Sequence, residues 1–413
     1  MTVESGAATT AALPNQPLPN QPLPNQALAD QPAPEMPDQA GEFIQLLTPE
    51  GERIDHPDYP LELSAANIRD MYRDLVLVRR IDTEAISLQR QGELGIWASL
   101  LGQEAAQIGS GRALSPDDMV FPTYREHGVA WCRGIDPVKL LELYRGVSHG
   151  GWAPEEHKFH LYTIVIGSQT LHATGYAMGI QRDGAVGGDP DNPKTPERPG
   201  EAVIAYFGDG ATSQGDVNEA FVFASVFNAP IVFFCQNNQW AISETVEKQS
   251  RIPLYQRARG FGFPGVRVDG NDVLACYAVT QKAMQAAREG QGPTLIEAFT
   301  YRMGAHTTTD DPTRYRLASE LEMWKLRDPI ERVRAYLARS GLAEPGFFAD
   351  VDAEAKQVGA RVREACRTMP DPPPLAIFEN VYREPTAILR AERDQYAAYL
   401  DSFAGEENGG AGR

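Results

Sequence analysis

Ala202-Val203-Ile204-Ala205-Tyr206-Phe207-Gly208-Asp209-Gly210 and, after 26 intervening residues, Asn237-Asn238-Gln239-Trp240-Ala241-Ile242-Ser243 are the stretches whose reading decides the fold. The apolar run ending at Phe207 stops at a glycine, as suits a strand buried on both faces of a parallel sheet. Ile231-Val232-Phe233-Phe234-Cys235 has the same character. Between the two runs, Gln214 to Phe227 is amphipathic, with Ala220, Phe223, Ala224 and Phe227 at helical spacing. Together the three segments predict one βαβ unit.

In such a unit both polar motifs fall at the carboxyl ends of strands, the edge where open α/β sheets bind ligands. Asp209 offers a carboxylate between two glycines that permit close backbone approach, and Asn238 offers an amide oxygen. A hard dication such as Mg2+ takes oxygen ligands, often one or two protein side chains plus phosphates. The helix after Gly210 adds free N–H groups for an anion. Alone, Gly-Asp-Gly equally suits a tight turn. Its spacing from Asn237-Asn238 favours a metal-held diphosphate.

This pair of motifs resembles the thiamin diphosphate motif, and Gln236-Asn237-Asn238-Gln239-Trp240-Ala241-Ile242-Ser243 narrows the resemblance. From about Leu63 to Tyr382 the chain resembles the alpha subunit of a 2-oxo acid dehydrogenase, the decarboxylating component. Phe233-Phe234-Cys235, Ala241-Ile242-Ser243 and the Asp310-Asp311 doublet look closer to the branched-chain enzyme, whereas Gly102-Gln103-Glu104-Ala105 looks closer to pyruvate-type chains. The resemblance implies a thiamin diphosphate-binding α/β fold, a parallel sheet flanked by helices. Residues 41–340 are expected to form that domain, 1–40 an extended arm and 341–413 a helical extension.

The 413 residues carry 38 Lys and Arg against 56 Asp and Glu, a net charge of −18 that repels nucleic-acid phosphates and anionic membranes. No apolar run approaches the ~18 residues a membrane span needs. Cys132, Cys235, Cys276 and Cys366 form no CxxC pair and read as buried thiols in a reducing compartment. Leu13, Leu18 and Leu23 each begin Leu-Pro-Asn-Gln, a proline density that excludes helix and sheet ladders. With no Lys or Arg before Arg53, neither a signal nor a transit peptide is expected, and a bacterial-type cytoplasmic location follows.

Several local expectations follow along the chain. Ser64 is a candidate cap for a helix carrying Ile68, Met71, Leu75 and Val78 and ending near Gly92. Ala173 to Ile180 reads as an Ala/Gly-rich helix, and Asp183 to Gly200 as a loop excursion. Asp272 caps a further helix that ends before Gly290, and Thr294-Leu295-Ile296-Glu297-Ala298 continues the sheet. Ser319 and Glu322 suggest a capping box for a helix bearing Leu326, Ile330, Val333 and Leu337. His149, His157 and His160 match no common zinc spacing and read as a solvated loop.

The resemblance also assigns roles. Tyr124 and Arg125 would meet the diphosphate, a guanidinium fork suiting phosphate oxygens. Ser168, Gly208, Gly210, Ala211, Gln236 and Asn238 would touch the cofactor; Asp209, Asn238 and the Trp240 carbonyl would hold Mg2+. His306 would reach the cofactor's reactive end as the catalytic histidine. Gln236 stands where branched-chain relatives have arginine, and Thr307 where animal relatives have a phosphorylated serine. His172 and Ala173 replace the oxygen-bearing side chains of a potassium loop, so that ion is not expected. Arg302 and Asp310 are candidates to pair and order the His306 loop. With one motif only, the chain is expected to need a beta subunit, as α2β2, and to pass its acyl group to a lipoyl-bearing dihydrolipoyl acyltransferase core.

Overall fold

The computed structural model describes residues 43–148, 150–187 and 200–403. The expected N-terminal arm, His149, most of the 183–200 excursion and the glycine-rich tail lie outside the described residues. The strands are β1 Met119–Phe121, β2 Val203–Gly208, β3 Ile231–Asn237, β4 Trp240–Ala241, β5 Glu244–Thr245, β6 Gly265–Asp269 and β7 Thr294–Phe299. The first helices are α1 Ala65–Arg90, α2 Glu104–Arg112, α3 His127–Cys132, α4 Pro137–Arg145, α5 Pro154–His157 and α6 Ser168–Arg182. They are followed by α7 Gly215–Val226, α8 Arg257–Phe261, α9 Val273–Arg288, α10 Ala318–Lys325, α11 Pro329–Arg339, α12 Phe347–Thr368 and α13 Ala387–Phe403.

Five strands form one parallel sheet in the order β1-β2-β3-β7-β6, and β4-β5 make a small antiparallel ribbon. The pleat explains the unbroken apolar runs. Ile204, Tyr206, Val232, Phe234 and Ile296 enter the core shared with α1, α2 and α9, while Val203, Ala205, Phe207, Phe233 and Cys235 enter the core under α6 and α7. Register sets Gly208 opposite Gln236, and Gln236 opposite Ala298. Both polar motifs therefore emerge at one level of the sheet's carboxyl edge. β1, only three residues long, was hidden from a reading by periodicity.

Ser64 caps α1 in a reciprocal box with Asn67, and Asp272 caps α9 by accepting from Leu274 and Ala275 N–H. α6 begins at Ser168, earlier than expected. Two readings are corrected. On α7 the buried stripe is Val217, Ala220, Phe221 and Ala224, and Phe221 packs on Phe233, Phe261 and Phe263. Phe223 and Phe227 instead lie about half exposed, stacked on each other at 6.2 Å. The Ser319/Glu322 box does not form, because Leu317 is the N-cap of α10 and makes no side-chain cap bond. That helix ends before Leu326, which is 79% exposed. Pro329 restarts the chain as α11 with Asp328 as cap, and a residue before proline is forced out of the helical region.

The C-terminal part is helical. α12 packs along α1, burying Val351, Ala355, Val362 and Cys366, whereas α13 buries none of its residues. The four cysteines are free thiols; three are buried and Cys132 half-buried. No helix among the described residues is long and apolar enough to cross a membrane.

Candidate cofactor site

At the carboxyl edge of β2 and β3 lies a cavity of about 540 Å³. Tyr124, Arg125, Gly208, Asp209, Gly210, Ala211, Gln236, Asn238, Trp240 and His306 all line it. Ser168 does not: its hydroxyl donates to Val165 O at 3.0 Å, and the neighbouring Gly167 lines the wall instead.

Asp209 is 1% exposed and has no ion pair with lysine or arginine among the described residues. Its carboxylate accepts from Gln249 Nε2 at 3.2 Å, and burial pushes its pKa up to about 6. Such a group is costly to keep charged without a cation. A Cβ on Gly208 would meet no atom within 4 Å, so that wall stays open to a ligand, whereas one on Gly210 would lie 2.8 Å from Ala241 Cβ. The turn after β3 is held by Asn237, whose amide donates to Glu297 at 2.7 Å and accepts from Gln239 N at 3.1 Å. Gln239 and Ile242 both take positive φ there. The turn presents Asn238 Oδ1, which accepts from Trp240 N at 3.2 Å, and Trp240 O, which accepts from Arg302 Nη1 at 2.9 Å. Each oxygen keeps a second lone pair. Gln103 Nε2, buried in the same wall, has no partner. An uncompensated carboxylate, two further oxygens, an unfilled glycine wall and a spare donor fit a Mg2+-held diphosphate.

The cationic side is less open than expected. Arg125 is buried, donating to Ser99 O and, at 2.8 Å, to His306 O, with Nη2 also 3.3 Å from His306 Nδ1. Gln236 has both amide ends engaged: it donates to Glu126 Oε1 at 2.6 Å and accepts from Gln107 Nε2 at 3.1 Å. Glu126 also accepts from Thr123 N and Oγ1, and burial raises its pKa. Sequence reading missed Glu126, which lines the cavity, and Gln107, which backs Gln236, because nothing local marks which polar side chains will meet across the fold.

His306 sits edge-on to the Tyr124 ring at 6.2 Å. Burial, then the Arg125 and Arg302 charges, lower its pKa to about 3, so the imidazole is neutral. Arg125 can only donate, which assigns Nδ1 as acceptor and leaves the proton on Nε2. Asp310 accepts from His306 N at 2.9 Å. The expected direct Arg302–Asp310 pair is replaced by a bridge: Arg302 donates to the Tyr315 hydroxyl, which donates to Asp310. His157 meets Arg133 O, and His160 stacks on Phe121. No cluster of three metal-binding side chains occurs among the described residues.

A parallel sheet with this carboxylate, amide and histidine at its carboxyl edge defines a cofactor-dependent α/β enzyme, and its family can be stated. The dehydrogenase E1 component pattern matches residues 72–377, a span holding the whole site, and the chain belongs to that family. The alpha subunit of 3-methyl-2-oxobutanoate dehydrogenase from Mycobacterium tuberculosis is 46% identical over 360 residues, covering 87% of this chain and 94% of that protein. The pyruvate dehydrogenase E1 component alpha subunit of Acholeplasma laidlawii is 37% identical over 353 residues, 82% of this chain and 95% of its own length. Its counterpart in Bacillus cereus is 39% identical over 318 residues, 76% and 82% of the two chains.

Proposed function

We propose that the chain is the alpha subunit of a branched-chain 2-oxo acid dehydrogenase that decarboxylates its substrate with thiamin diphosphate and Mg2+ and passes the acyl group to a lipoyl-bearing acyltransferase. The observation that carries this reading is Asp209, a buried carboxylate with no ion pair to lysine or arginine among the described residues, on the wall of the cavity that Asn238 also lines. Thiamin diphosphate would supply the nucleophilic carbon and the electron sink for loss of carbon dioxide. Asp209, Asn238 Oδ1 and Trp240 O would hold the metal. Arg125 would supply the positive charge, since Gln236 is turned toward Glu126. Neutral His306, with its proton on Nε2, can donate a hydrogen bond to a developing oxyanion.

The cavity mouth supports a beta partner. Ile164, 61% exposed, lines it together with the exposed Ile96, Ile166 and Ile242, an apolar rim that a monomer would ordinarily bury. A pyruvate or acetoin enzyme is the second reading, its pyruvate form favoured by the Gly102-Gln103-Glu104-Ala105 motif and by relatives of that name. Calorimetric titration of thiamin diphosphate into the alpha–beta complex, with and without Mg2+, tests the site: binding should require Mg2+ and vanish in Asp209→Ala. Binding indifferent to Asp209 would support a noncatalytic scaffold instead. Rates on 3-methyl-2-oxobutanoate and pyruvate then separate the two enzymes.

A further inference from the structure

Asp82 stands on the buried face of α1, 2% exposed, and no lysine or arginine among the described residues forms an ion pair with it. A core position on a scaffold helix ordinarily takes an apolar side chain, since a buried carboxylate is costly unless its oxygens are saturated. Here both oxygens are engaged from a single segment. Trp97 Nε1 and Leu100 N donate to Oδ1 at 2.8 and 3.0 Å, and Ser99 Oγ donates to Oδ2 at 2.6 Å. Residues 97–100 have no regular secondary structure of their own.

The carbonyls of that segment face the cofactor cavity's machinery. Trp97 O accepts from Thr308 N at 2.9 Å, Trp97 N donates to Thr308 Oγ1 at 3.0 Å, and Ser99 O accepts from Arg125 Nη1. Ala98, which lines the cavity, has its carbonyl 2.9 Å from His127 Nε2. Asp82 therefore grips one side of a strap from whose other side Arg125 and the His306 loop hang. We propose that Asp82 is a positioning residue for the cofactor site, fixing the Trp97–Leu100 carbonyls so that Arg125 and His306 are held at the right reach. The proposal rests on the thiamin diphosphate reading of the cavity. Asp74 supplies an internal control. It lies two turns earlier on α1, is equally buried and accepts from Trp131 Nε1 at 2.8 Å and from Arg112, none of which lines the cavity.

The test compares wild type, Asp82→Ala, Asp82→Asn, Ser99→Ala and Asp74→Asn in alpha chain co-purified with its beta subunit. Thiamin diphosphate Kd in Mg2+, kcat, KM and melting temperature are measured on each. Asp82→Ala should raise Kd and lower kcat by about tenfold or more, because small misplacements of a catalytic constellation are strongly felt. Asp82→Asn keeps an acceptor for Trp97 and Leu100 and should recover part of both. Asp74→Asn should lower the melting temperature while leaving Kd and kcat unchanged. If Asp82→Ala does not fold, Ser99→Ala decides by a smaller loss in the same direction. Wild-type Kd and kcat in Asp82→Ala or, failing that, in Ser99→Ala overturn the proposal, as do equal losses in Asp74→Asn. A wild type without Mg2+-dependent cofactor binding overturns the site reading and this inference with it, whereas normal wild-type binding with silent variants overturns this inference alone.

Discussion

At the level of single residues, burial shifts the titration of the groups lining the cavity, Asp209 and Glu126 upward and His306 downward. His306 is kept neutral by burial and by guanidinium neighbours, so in the proposed reaction it would act as a hydrogen-bond donor from Nε2. His306→Ala should cost kcat roughly 100-fold while thiamin diphosphate Kd changes little, the outcome for a group acting in the chemical step. A Kd loss as large as the kcat loss would mark it as a binder. Gly210→Ala places a methyl 2.8 Å from Ala241 Cβ, and the turn must shift. Urea unfolding should show a loss of about 1–3 kcal/mol, as for overpacked sites. Asp82 gives a pH signature. Its folded pKa of about 6 exceeds the ordinary 3.8, so between those values the folded state holds more protons than the unfolded chain. Its contribution is therefore fully present below the lower value and is lost as pH rises toward about 6, by something on the order of 3 kcal/mol. Asp82→Asn lacks this titration, so its stability should improve relative to wild type as pH rises through that window. A gap that does not move with pH would refute the shift.

Among the elements, α9 shows how one cap can organise a fold. Asp272 accepts from Leu274 and Ala275 N–H at the helix start, and its other oxygen takes Leu46 and Leu47 N–H at 2.7 and 2.6 Å. Asp272→Ala removes a cap and strands two buried donors, so equilibrium unfolding should report a loss of about 3 kcal/mol. A loss near that of a simple exposed cap would mean the Leu46–Leu47 contacts carry little. On α7 the apolar residues run around most of the helix. Periodicity there admits two stripes, and packing of Phe221 against Phe233, Phe261 and Phe263 selects one. At 326–329 the apolar spacing runs on through a break that Asp328 and Pro329 impose, since local backbone sterics outweigh periodicity.

For the whole molecule, the parallel sheet with β3 beside both β2 and β7 brings Gly208, Gln236 and Asn237 to one rim and leaves the cavity mouth ringed by exposed isoleucines. On the proposed reading this rim is where a beta subunit completes the cofactor site. The purified alpha chain should show negligible turnover of 2-oxo acid, with activity restored on adding beta subunit; full activity of alpha alone would refute the shared site.

The α/β class, the βαβ unit around Gly208 to Asn238, the caps at Ser64 and Asp272 and the place of Asp209 and Asn238 on the cavity wall were legible because they follow from strand-length apolar runs, glycine at a strand end and capping residues next to their helices. The short β1, the exposed face of α7, the Tyr315 bridge between Arg302 and Asp310, the Glu126–Gln236–Gln107 network and the grip of Asp82 on Trp97 to Leu100 were not. Those features arise from side chains that meet only after strands and helices pack. Composition and spacing say which groups need partners; which partner each one finds depends on distances that exist only in the folded chain.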